Sequence, residues 1–195
     1  MAPGYYDREA AVYDESRGGA ERARNAAVAV ATLLPPGGRL LDVAGGTGIV
    51  SAELAAQGRD VLVVDLSIGM LRLAGERLPG RVAATRADVL PVADVSVDAV
   101  TAIWVLHLLP PEVADRVVAE AARVLRPGGR LVTTVDKHRA HGRDGGDADH
   151  RERVLAVAAR HGLRPAGETA FSGRSQWGSA GDGDPVFPLA ALVKG

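Results

Sequence analysis

Arg39-Leu-Leu-Asp-Val-Ala-Gly-Gly-Thr-Gly48 decides how the rest of this chain is read. A short apolar run stops at a cluster of glycines, and Ile49–Gln57 then shows helical spacing, with Gly58 as a C-terminal stop. Glycines at such a strand-to-helix turn let backbone approach a ligand closely, and the helix start offers free N–H groups. The next apolar run, Asp60-Val-Leu-Val-Val-Asp65, reads as a strand covered on both faces. It ends on Asp65, 23 residues after Asp42, where an acidic side chain can take both hydroxyls of a ribose.

Further out the alternation continues. Ser67 can cap a helix running to about Leu78, which Pro79-Gly80 stops. Short strands are expected at Arg81–Arg86, Asp98–Ile103 and Arg130–Val135. Helices are expected at Pro110–Leu125, closed by Pro127-Gly-Gly129, and at His150–His161. This spacing means βαβ units and a parallel sheet with helices on both faces. Leu163–Phe171 and Val186–Val193 have no helix between them, so they are expected as an antiparallel pair. Tyr5–Leu34 reads as one or two helices before the first strand, and Lys137–Asp149 as a polar loop. The fold expected is α/β, a doubly wound, mostly parallel seven-stranded sheet with a C-terminal antiparallel pair. It forms a single domain over 1–195, with 1–34 as a helical lid and 35–195 as the core.

The bulk numbers agree with one domain. The chain has 195 residues, 47% hydrophobic and 24% charged, enough to bury roughly 70% of its unfolded surface. With 23 basic and 24 acidic residues the net charge is -1, which provides no bulk positive field for nucleic acid or an anionic membrane. The absence of cysteine removes disulfides, thiolate nucleophiles and Cys-ligated zinc. No apolar stretch is long enough for a membrane span, and the N-terminus lacks the order of a signal peptide, so a cytoplasmic protein is expected.

Gly46-Thr-Gly48-Ile-Val-Ser51 nearly matches a dinucleotide fingerprint, but the carboxylate of Asp42 just before the loop would oppose a pyrophosphate. No Gly-Lys-Ser/Thr occurs, so a Walker loop is out. An acid ahead of the glycines favours a ligand with a positive group and no phosphate, such as S-adenosylmethionine.

Over nearly its whole length the chain resembles class I S-adenosylmethionine-dependent methyltransferases. Leu41-Asp-Val-Ala-Gly-Gly-Thr-Gly48 is similar to their first motif, Val64-Asp65-Leu-Ser with Met70-Leu71 to the second, and Ala87-Asp88-Val-Leu-Pro91 with Val97-Asp98-Ala-Val100 to the third. Leu106–Leu109 and Arg123–Leu131 complete the pattern. Ala44 departs from it, standing where the family's first loop glycine belongs. The resemblance implies S-adenosylmethionine held by Asp42, Ala44, Gly46, Gly48, Asp65, Leu66, Met70, Asp88, Val89 and Ile103, with Asp65 on the ribose and Asp88 on the adenine amino group. Tyr13 and Arg17 resemble the N-terminal lid residues that reach the cofactor carboxylate.

Each residue also has a structural reading. Asp42 can bond loop amides, Asp88 can form a turn before Pro91, and the tyrosines at 5, 6 and 13 can pack an amphipathic helix on the sheet. His107 follows the fourth strand and is the candidate catalytic base, a proton acceptor for an incoming nucleophile; it can equally be a packing histidine. Trp104 lines the core or the site wall. His138, His141, Asp144, Asp147, Asp149 and His150 lack fixed spacing, so a solvated loop is expected there and no metal. The partner expected is a small-molecule acceptor, with neither nucleic acid nor membrane, and a homodimer is the assembly to test. A nicotinamide-dependent oxidoreductase, or a scaffold that binds cofactor without turnover, would share the frame.

Overall fold

The computed structural model describes residues 4–141, 147–174 and 183–195. Two helices, α1 (Tyr5–Ser16) and α2 (Gly19–Leu33), precede the sheet. Then come β1 (Arg39–Val43), α3 (Ile49–Ala56), β2 (Asp60–Asp65), α4 (Ile68–Arg77), β3 (Val82–Ala84) and β4 (Val97–Ala102). They are followed by α5 (Pro111–Val124), β5 (Leu125–Thr134), α6 (Lys137–Ala140), α7 (Arg151–Arg160), β6 (Leu163–Ser172) and β7 (Val186–Lys194). The sheet order is β3-β2-β1-β4-β5-β7-β6. β1 to β5 pair in parallel, and β7 runs antiparallel to both β5 and β6.

Alternation along each strand divides the core between the two faces of the sheet. Leu41, Val43, Val64, Val100 and Leu131 face α5 and α7, whose Val117, Val118, Val154 and Val157 cover them. Leu40, Val61, Val63, Ala99 and Val132 share the other face with α2, α3 and α4, through Val30, Leu54 and Ala74. Ser67 caps α4 by accepting the Met70 N–H, as its position implied. Gly48 starts α3 with φ +69, and a Cβ there would lie 3.1 Å from the Ala74 Cβ. Its role is close packing of α3 on α4.

Several boundaries differ from expectation. β3 is shorter than Arg81–Arg86. β5 starts at Leu125, which pairs with Val97 ahead of a bulge, rather than at Arg130. Segment 137–149 is not one solvated loop: α6 occupies Lys137–Ala140, and a 3-10 turn covers Asp147–Asp149. The cause is burial. Ala148 enters the core, and buried Asp149 accepts the Lys137 backbone N–H at 2.8 Å. Ala26, Ala27 and Val30 of α2 are buried, so α2 packs into the helical layer on one face of the sheet. Among the described residues no helix is long and apolar enough to cross a membrane.

Candidate cofactor and acceptor site

At the carboxyl ends of β1, β2 and β4, where strand order reverses between β1 and β4, a cavity of about 430 Å³ opens. That is the size range of small-ligand sites, roughly 300–1,000 Å³. Its walls come from the glycine loop, the ends of β2 and β4, and Tyr5, Tyr6 and Tyr13 of α1.

Asp65 sits at the end of β2 with its carboxylate between two loops. Oδ2 accepts the Gly46 N–H at 2.9 Å and Oδ1 accepts the Ser67 N–H at 2.8 Å. Burial raises its pKa. Each oxygen retains a lone pair for a diol. Above the loop, a Cβ on Gly46 (φ +59) would meet nothing within 4 Å, so a ligand can lie directly on this backbone. Asp42 lies beneath. Its carboxylate accepts Ser51 Oγ–H at 2.5 Å and Thr101 Oγ1–H at 2.7 Å, and burial pushes its pKa up to about 6 against those two bonds. A Cβ on Gly45 would lie 2.5 Å from Asp42 Oδ2, which fixes that residue as glycine. Ala44 carries φ +55, so the departure from the family motif is held in a left-handed conformation that favours glycine.

Of the residues expected to hold cofactor, Asp42, Ala44, Gly46, Asp65, Leu66, Met70, Asp88, Ile103 and Tyr13 line the cavity. Gly48, Val89 and Arg17 are not among its lining residues; Val89 is exposed, and the Arg17 guanidinium stacks 4.0 Å from the centre of the Tyr13 ring. Asp88 faces competition. Arg86 binds it through two hydrogen bonds of 2.9 and 2.8 Å, Arg116 adds one of 3.0 Å, and together they hold its pKa down at about 2. An adenine amino group would share an already paired carboxylate.

His107 lies on the 3-10 turn Leu106–Leu108, with Val105 and Leu108 of the same segment in the cavity wall. The imidazole itself is not among the lining groups. Its Nε2 is 3.0 Å from Lys137 Nζ, whose pKa falls to about 8 through burial first and repulsion from Arg22 and Arg17 next. Burial raises the pKa of Tyr6 and Tyr13 still further from neutrality, so both remain neutral phenols.

The chain's own chemistry also placed residues that the motifs did not reveal. Asp14 accepts Thr47 Oγ1–H at 2.6 Å and an Arg77 N–H at 2.7 Å, while Arg77 also donates to the Thr47 carbonyl. Asp7 accepts both the Ser67 hydroxyl and the Gly69 N–H. These bonds clasp α1 onto the glycine loop and α4. Trp104 holds φ +59, a strained value for a bulky residue, with its backbone N–H donated to Thr134 Oγ1. His141 packs its ring against Phe187, and Asp144 lies outside the described residues. Among the described residues no group of three or more His, Asp or Glu could hold a metal ion.

Comparison with known proteins agrees with this geometry. Residues 41–133 match the family model described as a methyltransferase domain. A demethylmenaquinone methyltransferase of Beutenbergia cavernae is 48% identical over 98 residues, 50% of this chain and 40% of that protein. The match thus spans two fifths of the relative's length. The fold is also that of a possible histamine N-methyltransferase of Thermotoga maritima, with TM-score 0.72 and 19% identity over 97% of this chain and 98% of that one. A geranyl diphosphate methyltransferase solved with GPP and sinefungin gives TM-score 0.66 and 21% identity, over 86% and 77%.

Proposed function

We propose that the chain transfers a methyl group from S-adenosylmethionine to an O, N or C nucleophile of a small molecule. The observation that carries this is the Asp65 carboxylate, half-buried at the end of β2, lining the cavity and bonded to the Gly46 amide. When bound, the cofactor supplies an electrophilic methyl group on a sulfonium. Asp65 would hold the ribose diol, Leu66 and Met70 the purine side, and the open backbone at Gly46 the chain that joins sugar to amino acid. Asp42 contributes a negative charge under the loop, which favours a cationic ligand over a phosphate.

The remaining residues bind, orient and exclude water. The α1 clasp brings Tyr6 and Tyr13 over the cavity, and their neutral ring faces suit a sulfonium. Positioning of this kind supplies most of the acceleration in a displacement of this class. A proton acceptor is dispensable if the acceptor arrives as a nucleophile, and His107 directs Nε2 at Lys137. The expected test outcome is transfer of labelled methyl from S-adenosylmethionine to members of a panel of small phenols, amines and acids. In thermal-shift titrations S-adenosylhomocysteine should stabilise the chain and NAD should not. Stabilisation by NAD alone would make it a nicotinamide enzyme.

A further inference from the structure

Beside the cofactor half of the cavity, at the β4–β5–β7 end, the structure buries a cluster of hydrogen-bond donors that the proposed cofactor site does not use. Arg22 of α2 is 7% exposed. Its guanidinium stacks 3.8 Å over the Trp104 ring and 4.9 Å from the Phe187 ring. Its stem is pinned by glycine: a Cβ on Gly173 would lie 2.6 Å from the Arg22 Cγ. One Arg22 N–H goes to the Arg17 carbonyl at 2.9 Å. Its Nε and the Trp104 Nε1, both buried, have no hydrogen-bond partner among the described residues. Lys137 stands nearby, close enough to be repelled by Arg22, with Nζ on His107 and its backbone N–H on Asp149.

A buried guanidinium without a carboxylate partner is costly, and an unsatisfied donor beside it adds to that cost. Arg, Trp and Lys side chains donate and do not accept. A species that satisfies them together must be acceptor-only and negatively charged, and a carboxylate meets the planar fork of an arginine in kind. The Trp104 ring on which Arg22 stacks borders the large cavity together with Ile103, Val105 and Leu108, while Arg22 itself borders a second cavity beside Asn25, Glu15 and Glu21. We propose that Arg22, Lys137 and the Trp104 indole N–H form a docking site for the carboxylate of an acceptor with an apolar or aromatic body.

This inference rests on the methyltransferase reading for the word acceptor, but the anion site can be tested apart from it. Carboxylate chemistry has two possible sources here, the acceptor and the amino-acid end of the cofactor. Ligand-observed NMR titrations of the full chain with benzoate, and with benzamide as neutral isostere, are run with and without saturating S-adenosylhomocysteine. Benzoate should bind at least ten-fold tighter than benzamide, and should do so with S-adenosylhomocysteine in place. R22M and K137M should each weaken benzoate at least ten-fold, leaving benzamide and S-adenosylhomocysteine within three-fold of the parent. R22K should recover part of the benzoate affinity if R22M folds poorly. Equal binding of benzoate and benzamide would overturn the proposal. So would competition between benzoate and S-adenosylhomocysteine, or loss of S-adenosylhomocysteine affinity in a folded R22M, since either assigns the cluster to the cofactor's own carboxylate. If S-adenosylhomocysteine fails to bind while the benzoate preference and its loss in both variants persist, the anion site stands and the methyltransferase reading falls.

Discussion

Replacing Asp42 by Asn should change how stability depends on pH. The Asp42 carboxyl is buried under the glycine loop, with Ser51 and Thr101 donating to it, and its pKa rises from 3.8 to about 6 on folding. A folded pKa above the unfolded one means that the native state binds the extra proton. The associated stability is complete below about pH 4 and is lost as pH rises through about 6. A shift of about two units corresponds to roughly 3 kcal/mol, of which about 2 kcal/mol falls between pH 4.5 and 7. Asp65 is shifted in the same direction, so the wild-type slope alone does not isolate Asp42. The difference between wild type and D42N does. Asn keeps the volume and can still pair with both hydroxyls, at a cost of about 1 kcal/mol for their reorientation. Urea denaturation of cofactor-free protein from pH 4.5 to 7.5 should show D42N gaining about 2 kcal/mol on wild type across that interval. A difference that stays flat with pH would show Asp42 titrating as in water. That would refute a dry, anionic floor beneath the loop.

Other outcomes follow from the same geometry. Ala44→Gly should raise stability by up to about 1 kcal/mol by relieving φ +55, offset in part by the entropy of glycine, as read from denaturant midpoints. Removing residues 1–18 takes away the Asp7 and Asp14 clasp and the tyrosine wall, and should raise the S-adenosylhomocysteine Kd at least ten-fold by calorimetry; unchanged affinity would show α1 to be dispensable. His107→Gln should leave turnover within ten-fold of the parent, because Nε2 already faces Lys137. A loss of about 10²–10⁴-fold at unchanged cofactor affinity would instead make His107 the proton acceptor.

The frame was legible because local signals agreed with one another. The apolar runs at Arg39–Val43 and Asp60–Asp65, the glycine turn between strand and helix, and the Ser67 cap each point to the same βαβ unit, and all appear where the sequence puts them. The antiparallel tail was legible from a missing helix. Long-range pairing was not. Asp88 looks available in sequence, yet Arg86 and Arg116 meet its carboxylate in the fold. The 137–149 segment reads as polar loop because burial of Asp149 depends on a partner twelve positions away, the Lys137 N–H. The Arg22 cluster had no motif at all. It joins α2, the end of β4, α6 and β7, and its one sequence-level trace is an arginine on an otherwise alanine-rich buried helix face.

The central claim is that Asp65 holds the ribose of S-adenosylmethionine in this cavity, and calorimetric titration of S-adenosylhomocysteine into wild type and Asp65→Ala tests it most directly. Two charge-assisted hydrogen bonds, each worth about 1.5–3 kcal/mol, predict a Kd at least a hundred-fold weaker in the variant, with near-native circular dichroism at the same temperature. An unchanged Kd in a folded Asp65→Ala, or no binding to wild type, would contradict the account.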